Sequence, residues 1–521
     1  MTTGVRAIGL AAAVAAGGYG CAARGPSPQL IAEVGKAAAL QQVGCYRCLI
    51  DALATYERVL ALPRPPSGAL QGAFETSIML AVRSKELGLS PDNFLAKARE
   101  LGSRLTPPAA GLPPAAYLDA AAAIVGETSG FDPERRQQLP RRVRGPDGRT
   151  APLPARGGLT AAVPTDALAA YLGVALDCDD PVARSEVNRE AVMQNDGATP
   201  AMRFRLAICG IAPSELIPLR ERDPRWIDTL FFEGRRHMTT RPVADVAKAE
   251  VLFAEAHAAF PESHAITLAL AGAQNALSEY DHALALYDEV LRDEPTHRDA
   301  RLGRVMSLSY LNRYVDAVAA ASGMIELGTW HIGDAYYWRA WNRYQLHQLP
   351  MARDDVEHAM TLLMNTSVYT LAGFITYAQV ELDTAIERFD RAFALDNTNC
   401  EAVWFAALVH VDQQAWSNAA PKFSRAMTCF ASAAADARAE IARLEASASA
   451  ETAKARALAA AHKRLDTAEH RGAQAAYNAA NTYVRLGDKA LAVTHVDVAA
   501  THPLLKEKAL SLKASIEKLP Q

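Results

Sequence analysis

The sequence predicts an all-α fold in which antiparallel helix pairs stack into one long array. Half of the 521 residues are apolar but only 7% are aromatic, so alanine supplies much of the apolar content. Alanine is the best helix former and lets helices pack closely, whereas a large β core needs Val, Ile and aromatic residues. An alanine also recurs with a nearly constant period through the second half of the chain, which is the second observation behind this fold class.

The periodic alanines are separated by 33 to 35 residues, and each is expected to open the second helix of a pair. They are Ala249, Ala283, Ala317, Ala352, Ala385 and Ala419. Most are followed four residues later by a larger side chain, namely Phe253, Tyr287, Val356, Phe389 and Phe423. Pro261 and Pro295 close the first two units, where a proline can end a helix. Since one unit of this kind cannot bury its apolar face alone, the period indicates a stacked array.

The clearest unit reads AGAQNALSEYDHALALYDEVLRDEP over residues 271–295. The pattern resembles the tetratricopeptide repeat, and the resemblance covers residues 226–503. It implies a right-handed α-solenoid of antiparallel helix pairs, with a concave groove lined mainly by the first helix of each pair. In this register Ala490 opens the last second helix, and residues 504–521 supply a polar capping helix. We expect residues 431–470 to form a degenerate, alanine-rich pair; the alternative is a projecting coiled-coil hairpin.

Residues 1–21 have the layout of a secretory signal peptide: an early Arg6, an apolar run over 7–16, and small residues before Cys21. This arrangement resembles the lipobox of bacterial lipoproteins, whose cysteine is lipidated. It implies an exported protein, anchored through Cys21 in the outer membrane and facing the periplasm. Plain secretion and a cytosolic chain with an alanine-rich start are the alternatives. No later stretch is long and apolar enough for a transmembrane helix, so membrane contact is expected only through the lipidated N-terminus.

The region between the signal and the array divides into three parts. Residues 22–106 are expected to be helical. Residues 107–164 are rich in Pro, Gly and Arg and predict a linker with a short helix at 115–125. Residues 165–225 predict imperfect helical repeats. The linker arginines are interpreted as solvated, with binding to a polyanion or anionic lipid as the alternative.

Several function classes find no support in the sequence. A net charge of −4 gives no concentrated basic face, so we expect no nucleic-acid partner. The sequence has no HExxH, no Walker phosphate loop and no GxSxG, and its 13 histidines are scattered. We therefore predict that the protein is not an enzyme and has no cofactor and no metal site. An unrecognised helical glycan-acting or redox site is the alternative.

The repeat register places a group of large side chains on the concave side of adjacent units. These groove candidates are Tyr310, Tyr337, Trp341, Tyr344, Phe374, Tyr377 and Trp404. Aromatic side chains offer a large, rigid contact area with a polar edge, which suits a protein or peptide partner and also a glycan. The alternative is that they fill the space between packed helices. The predicted function is a protein-interaction scaffold or adaptor at the cell envelope; the alternative is a lipoprotein that captures a glycan or peptide for uptake.

One unit departs from the repeat pattern, because Arg339 and Arg343 occupy positions that are normally apolar. The helix that follows them carries Asp354 and Asp355. An arginine buried between helices needs a charged partner, since leaving it unpaired costs several kcal/mol. We therefore predict a structural Arg–Asp ion pair between the two helices, with a ligand-facing arginine as the alternative.

Six cysteines remain if Cys21 is set aside, and an even number fits disulfides in an oxidising compartment. In the repeat register Cys400 begins a first helix and Cys429 ends the second helix, so antiparallel packing brings them to the same end. Cys178 and Cys209 can join in a similar way, provided that their Cα atoms lie within about 7 Å. Cys45 and Cys48 form a lone CxxC, which predicts either a local structural disulfide or two buried thiols.

Overall fold

A computed structural model describes residues 26–106, 113–126, 142–144, 150–152, 167–178, 199–210, 212–239, 245–328, 331–446 and 451–518. The predicted signal segment and Cys21 lie outside these residues. The chain divides into two compact units. The first contains the chain up to residue 85 together with residues 90–226, and the second contains residues 86–89 and everything from 227 onward.

Within its described residues, the first unit is helical apart from one short strand pair. Its helices are α1 (Pro28–Val43), α2 (Tyr46–Leu60), α3 (Gly68–Glu86), α4 (Asp92–Ser103), α5 (Pro114–Val125), α6 (Ala167–Asp177), α7 (Pro200–Ile208) and α8 (Leu216–Arg222). Helix α3 is buried around most of its circumference, and the apolar faces of its neighbours pack with it in one core. Strands β1 (Arg142–Arg144) and β2 (Thr150–Pro152) pair antiparallel within the segment predicted as a linker. Strands of three residues are too short to give a periodic sequence signal, so the linker prediction contains only its helix, α5.

The described residues of the second unit form an array of seven antiparallel helix pairs. The first helices are α9 (Thr229–Thr239), α11 (His264–Ala276), α13 (Arg298–Tyr310), α15 (Ile332–Gln345), α17 (Thr366–Ala378), α19 (Cys400–Asp412) and α21 (Glu451–Leu486). The second helices are α10 (Val246–Ala259), α12 (Tyr280–Asp293), α14 (Tyr314–Glu326), α16 (Leu349–Leu362), α18 (Leu382–Leu395), α20 (Trp416–Ala446) and α22 (Lys489–Ala499). Helix α23 (Lys506–Glu517) closes the array by packing Ala509 and Ile516 on α22.

The alanines of the periodic series are what allows these helices to stack. All six, from Ala249 to Ala419, are completely buried in the second helices. The large side chain four residues later also packs inward: Phe389 is fully buried, and a Cβ placed on Gly373 would lie 2.6 Å from its ring. A small residue and a ring share the close helix crossing in the pairs that contain Phe253, Tyr287 and Phe389, which is the packing that a glycine or alanine permits.

The last position of the series needs a correction. Ala490 is exposed, and the buried alanine of the seventh pair is Ala492, which packs with Val496 and Ala499. The turn that precedes each second helix also identifies Ala492 as the repeat position of the seventh pair. A residue with positive φ precedes the buried alanine by five positions in six pairs: Ser278, Asn312, His347, Val380, Gln414 and Gly487.

Residues 431–470 do not form a separate helix pair, so that expectation is corrected. Residues up to 446 continue α20 to a length of 31 residues, and residues from 451 begin the 36-residue α21. The physical reason is that residues 422–446 and 451–471 contain neither proline nor glycine, so nothing ends the first helix before residue 446 or interrupts the second as far as residue 471. The two helices contact each other extensively, but the hairpin does not simply project as the alternative expected, because α21 also packs against α10.

The structure joins the six cysteines in the three pairs considered above. Cys45 and Cys48 bond at the start of α2, and both are fully buried. Cys178 and Cys209 connect the ends of α6 and α7, with their Cα atoms 5.0 Å apart. Cys400 and Cys429 connect the start of α19 to α20, with a Cα separation of 5.4 Å. The antiparallel course of α19 and α20 is what brings the last two residues together.

Candidate interaction groove

The first helices of the array form a continuous inner layer. Consecutive first helices contact one another from α9 through α11, α13 and α15 to α17. The second helices of neighbouring pairs do not approach one another as closely in the described array. A stack whose members are closer together on one side curves toward that side, so the first helices line the concave surface.

An aromatic strip runs along this layer on α15 and α17, formed by Trp341, Tyr344, Phe374 and Tyr377. The ring of Tyr344 lies 6.4 Å from Trp341 and 6.3 Å from Phe374, where the two rings are nearly parallel. Tyr377 belongs to the same apolar cluster as Phe374. All four side chains are only partly buried. The strip therefore joins two helix pairs while keeping part of each ring accessible.

A second group, the stacked cluster, consists of Tyr280, Tyr310, Tyr337 and Trp338. Tyr310 stacks on Tyr280 with ring centres 4.7 Å apart and meets the edge of Trp338 at 5.5 Å. Tyr337 contacts Trp338 at 5.3 Å. Tyr310 is 48% exposed. Tyr280 and Trp338 are not among the sequence candidates, and their signal was an aromatic ring three to five residues from a buried alanine.

Two of the seven groove candidates pack between helices: Trp404 with almost its whole side chain, and Phe374 with one side of its ring. Trp404 is 7% exposed and packs with Ala475 and Ala479 of α21, so its assignment to the accessible groove is corrected. The cause is the seventh pair, whose first helix covers α19. Phe374 also contacts Phe389 and Phe405, at 5.4 and 4.7 Å, so one side of its ring fills the space between helices.

Four tyrosine hydroxyls of the groove stay protonated at physiological pH, namely those of Tyr310, Tyr337, Tyr344 and Tyr377. Burial raises the pKa of Tyr337 to about 12. Burial together with the hydrogen bond to Asp412 raises the pKa of Tyr377 to about 12, and burial also raises the pKa of Tyr310 and of Tyr344. Tyr377 donates its hydroxyl to the Asp412 carboxylate. A neutral phenol can donate and accept hydrogen bonds, so these rings combine apolar faces with polar edges.

An ion triad lies between the two helices of the fourth pair. Arg339 donates two hydrogen bonds to Asp355, from Nε at 2.9 Å and Nη2 at 2.7 Å. Arg343 donates a third from Nη1 at 2.7 Å. The Asp355 side chain is 3% exposed. Arg339 also donates to Ser322 of α14, so the triad ties three helices together.

Asp354 takes no part in this triad, which corrects its inclusion among the ion-pair candidates. It is exposed, and the backbone carbonyl of Asp354 accepts a hydrogen bond from His358. The buried face of α16 carries Ala352, Asp355 and Val356, at the three- and four-residue spacing of one helix face. Asp354 falls outside that spacing and therefore points away from α15.

Polar side chains that the sequence analysis did not single out connect neighbouring first helices. Asn342 is fully buried and donates from Nδ2 to Ser309 Oγ at 2.8 Å, joining α15 to α13. Ser307 donates to Asn275 Oδ1 at 2.9 Å, joining α13 to α11. These bonds hold the inner layer at fixed spacing because a buried polar group left unpaired would be destabilising.

The described residues provide no cluster of three or more His, Cys, Asp and Glu side chains arranged to hold a metal ion. None of their helices combines the length and the hydropathy that crossing a bilayer requires.

The period, the buried alanines and the paired course of the helices define the repeat type. The second unit is a tetratricopeptide-type α-solenoid. No family model and no curated protein matches the chain in sequence.

Solved structures do match. YrrB, described as a TPR protein with an unusual peptide-binding site, is 17% identical with a TM-score of 0.31, over 44% of this chain and 97% of YrrB. A tetratricopeptide repeat protein from Parabacteroides merdae is 13% identical with a TM-score of 0.34, over 56% of this chain and 99% of its own. The C-terminal part of a TPR repeat-containing protein from Cytophaga hutchinsonii is 15% identical with a TM-score of 0.37, over 55% and 98%.

Proposed function

We propose that this protein is a non-catalytic scaffold or adaptor that binds a protein or peptide in the concave groove. The observation that carries the proposal is the aromatic strip on the inner layer of the fourth and fifth pairs, with the stacked cluster of the second to fourth pairs beside it. Large aromatic rings held in place by their neighbours lose little conformational entropy on binding, and such residues dominate the energy of protein interfaces. The Tyr344 hydroxyl can donate and accept hydrogen bonds, and the Tyr377 hydroxyl, which donates to Asp412, can still accept one, so both supply directional contacts.

The groove is rigid, which also favours a binding role. Its helices are tied together by the Asn342–Ser309 hydrogen bond and by the Arg339–Asp355 pair, both largely buried. A surface that keeps its shape before the partner arrives avoids the cost of ordering during association. Shape and aromatic contact, rather than chemistry on a substrate, are therefore the proposed mechanism.

We also propose that the protein acts at the bacterial cell envelope. This part of the proposal depends on the sequence of residues 1–21, where a short apolar run precedes small residues and Cys21. Metabolic labelling with an alkyne fatty acid tests it. We expect label on the wild-type protein and none after Cys21→Ser; equal labelling of both forms, or of neither, contradicts anchoring through Cys21.

The groove is tested by the double variant Trp341→Ala and Tyr344→Ala, compared with Val315→Ala on α14. Val315 is 69% exposed on a second helix and provides the control. We expect proteins that copurify with the wild type from detergent-solubilised envelope to be lost in the double variant and kept in the control. Loss of two central aromatic contacts typically weakens binding by about 30-fold or more.

Two outcomes contradict the proposal as stated. If the same proteins copurify with the double variant, the groove is not their binding site. If no protein copurifies but the wild type binds a glycan array and the double variant does not, the protein captures a glycan instead. Circular dichroism on each variant shows that the array is still folded.

A further inference from the structure

The hairpin formed by α20 and α21 is far longer than the repeat requires. These helices span about 46 and 54 Å, whereas a 13-residue helix of the array spans about 20 Å. The extra length lies in residues 434–446 and 451–470, between the sixth and seventh pairs. Repeat arrays are held together by contacts between neighbouring units, so a segment of this length extends beyond its nearest neighbours.

The hairpin is a stiff arm rather than two loose helices. Small buried residues, among them Ala434, Ala437 and Ala461, let the two helices pack closely. Ion pairs also cross between the helices: Arg464 contacts Glu440 at 2.5 Å, and Arg438 contacts Glu469. An alanine-rich antiparallel pair with crossing charges keeps its direction over its whole length.

The far end of this arm contacts the beginning of the array. Arg456 Nη1 donates to Glu279 Oε1 at 2.7 Å, and its Nη2 donates to Glu250 Oε2 at 3.2 Å. Glu250 lies on α10 and Glu279 immediately precedes α12, so one guanidinium bridges the first two pairs. The contact spans 206 residues to Glu250 and 177 to Glu279, and α21 also packs against α10.

The Arg456 bridge is partly sheltered from solvent. The Glu250 side chain is 11% exposed and the Glu279 side chain 26% exposed, against 39% for Arg456. The hydrogen bond to Glu279, assisted by both carboxylates, raises the pKa of Arg456. Two carboxylates from different helix pairs thus converge on a single guanidinium group. At least one of the two hydrogen bonds is lost if either helix pair moves away.

The near end of the arm is anchored equally firmly. The guanidinium of Arg471 lies 4.7 Å from the ring centre of Trp404. Ala475 and Ala479 pack in the same buried cluster as Trp404 and Phe423. The arm is therefore fixed to the sixth pair at one end and to the first two pairs at the other.

We infer that the α20–α21 hairpin is an intramolecular clamp that closes the array by joining its last pairs to its first two through Arg456, Glu250 and Glu279. Closing sets the distance between the two ends of the inner layer. The aromatic strip lies on the fourth and fifth pairs, between those ends, and the stacked cluster extends from the fourth pair back to Tyr280, which directly follows Glu279 in the second pair. If the groove binds a partner as proposed above, the clamp prepares it by removing the open forms of the array.

The clamp is tested by distance measurements on the full chain with Cys21→Ser, where the other cysteines are disulfide-bonded and do not take the label. Spin labels are attached at Ala258→Cys on α10 and Ala459→Cys on α21, both exposed positions. We expect one narrow distance distribution. Arg456→Glu places three negative charges together, so the narrow peak should be lost and replaced by longer, broader distances.

Lys463→Glu is the matched control, because it makes the same charge change at an exposed position of the same helix. The narrow peak should survive in it and should return when Arg456→Glu is combined with Glu250→Arg and Glu279→Arg. A broad distribution in the wild type, or an unchanged narrow peak in Arg456→Glu, overturns the inference.

Measuring partner binding distinguishes a failure of the clamp inference from a failure of the proposed function. We expect Arg456→Glu to weaken binding several-fold while Lys463→Glu does not. If Arg456→Glu opens the array but partner binding is unchanged, the clamp has no role in binding, and the groove is still supported as the binding site. If the Trp341 and Tyr344 variants also keep full binding, the proposed function fails while the distance result is unaffected.

Discussion

Asp355 is the position where one substitution should be most costly to the array. Its carboxylate accepts three hydrogen bonds from Arg339 and Arg343, at 2.7 to 2.9 Å, and the side chain is 3% exposed. Asp355→Asn keeps the size but removes the charge. Two guanidinium groups, 16% and 18% exposed, then face each other without a counter-charge.

The expected loss follows from this geometry. Removing one partner of a buried ion pair costs about 3–5 kcal/mol, because the remaining charge stays buried and unpaired. The asparagine oxygen can still accept one hydrogen bond, and the arginines retain some access to water. We therefore expect Asp355→Asn to lower the free energy of unfolding by about 3 kcal/mol.

The assay is urea unfolding followed by circular dichroism, together with amide hydrogen exchange over residues 332–362. Exchange is included because a repeat array can open locally without global unfolding. Asp354→Asn is the matched control: its side chain is exposed, and we expect a change within about 0.5 kcal/mol. Equal stabilities for the two variants would refute the reasoning. Asp355→Leu with Arg339→Met and Arg343→Met should recover most of the loss.

Three further predictions concern packing, backbone strain and pH. Gly373→Ala should lower the free energy of unfolding by about 1–3 kcal/mol, because the new Cβ would lie 2.6 Å from the buried Phe389 ring. Gly272→Ala should raise it by about 0.5–1 kcal/mol, because nothing lies within 4 Å of its new Cβ. Urea unfolding measures both changes. Val380→Asn should raise stability by about 1 kcal/mol, because a β-branched residue at φ 65° is strained and asparagine tolerates that conformation. Burial lowers the pKa of His495. The unfolded state therefore binds the proton more readily, and the contribution of His495 to stability is present above about pH 6.5 and lost as the pH falls. His495→Phe should make the melting temperature less dependent on pH between about 7 and 5.

Each of these predictions has a result that would contradict it. If Gly373→Ala and Gly272→Ala change stability in the same direction, close ring packing does not explain the glycine at residue 373. A less stable Val380→Asn protein would mean that the valine side chain contributes more than its backbone conformation costs. An identical pH dependence with and without the imidazole of His495 would assign the acid sensitivity to other groups.

The repeat architecture could be predicted because it is a local property. A small residue is needed at every helix crossing, so the alanine series from Ala249 to Ala419 marks the buried positions directly. The register was lost between Ala419 and Ala492 because the helices of the hairpin run without a breaker. A period of 33 to 35 residues cannot be counted through helices that are themselves 31 and 36 residues long.

The turns illustrate why other features were missed. The residue with positive φ differs from pair to pair, from Ser278 and Asn312 to Val380, and only Gly487 is a glycine. The stacking of the pairs imposes that backbone conformation on whatever residue is present, so the sequence has no glycine signal for it. The choice between Asp354 and Asp355 could have been made from sequence, since only Asp355 shares a helix face with Ala352 and Val356.

The groove was predictable in its location but not in its accessibility. Helix periodicity placed Trp341, Tyr344 and Tyr377 on the inner layer, where they remain partly accessible. The burial of Trp404 depends on α21, which begins at Glu451, beyond the whole of the 31-residue α20 in which the repeat register is lost. The Arg456 contact joins residues more than 170 positions apart, and no local pattern announces a contact of that range.

The inner layer of the array is the surface on which we propose that a protein partner binds. Site-specific photocrosslinking in the living cell tests this proposal most directly, with a benzophenone amino acid in place of Tyr344 in the groove or of Val315 on the outer helix α14. We predict a discrete crosslinked protein adduct from residue 344 and none from residue 315. Adducts of the same proteins at both positions, or none at residue 344, would contradict the account.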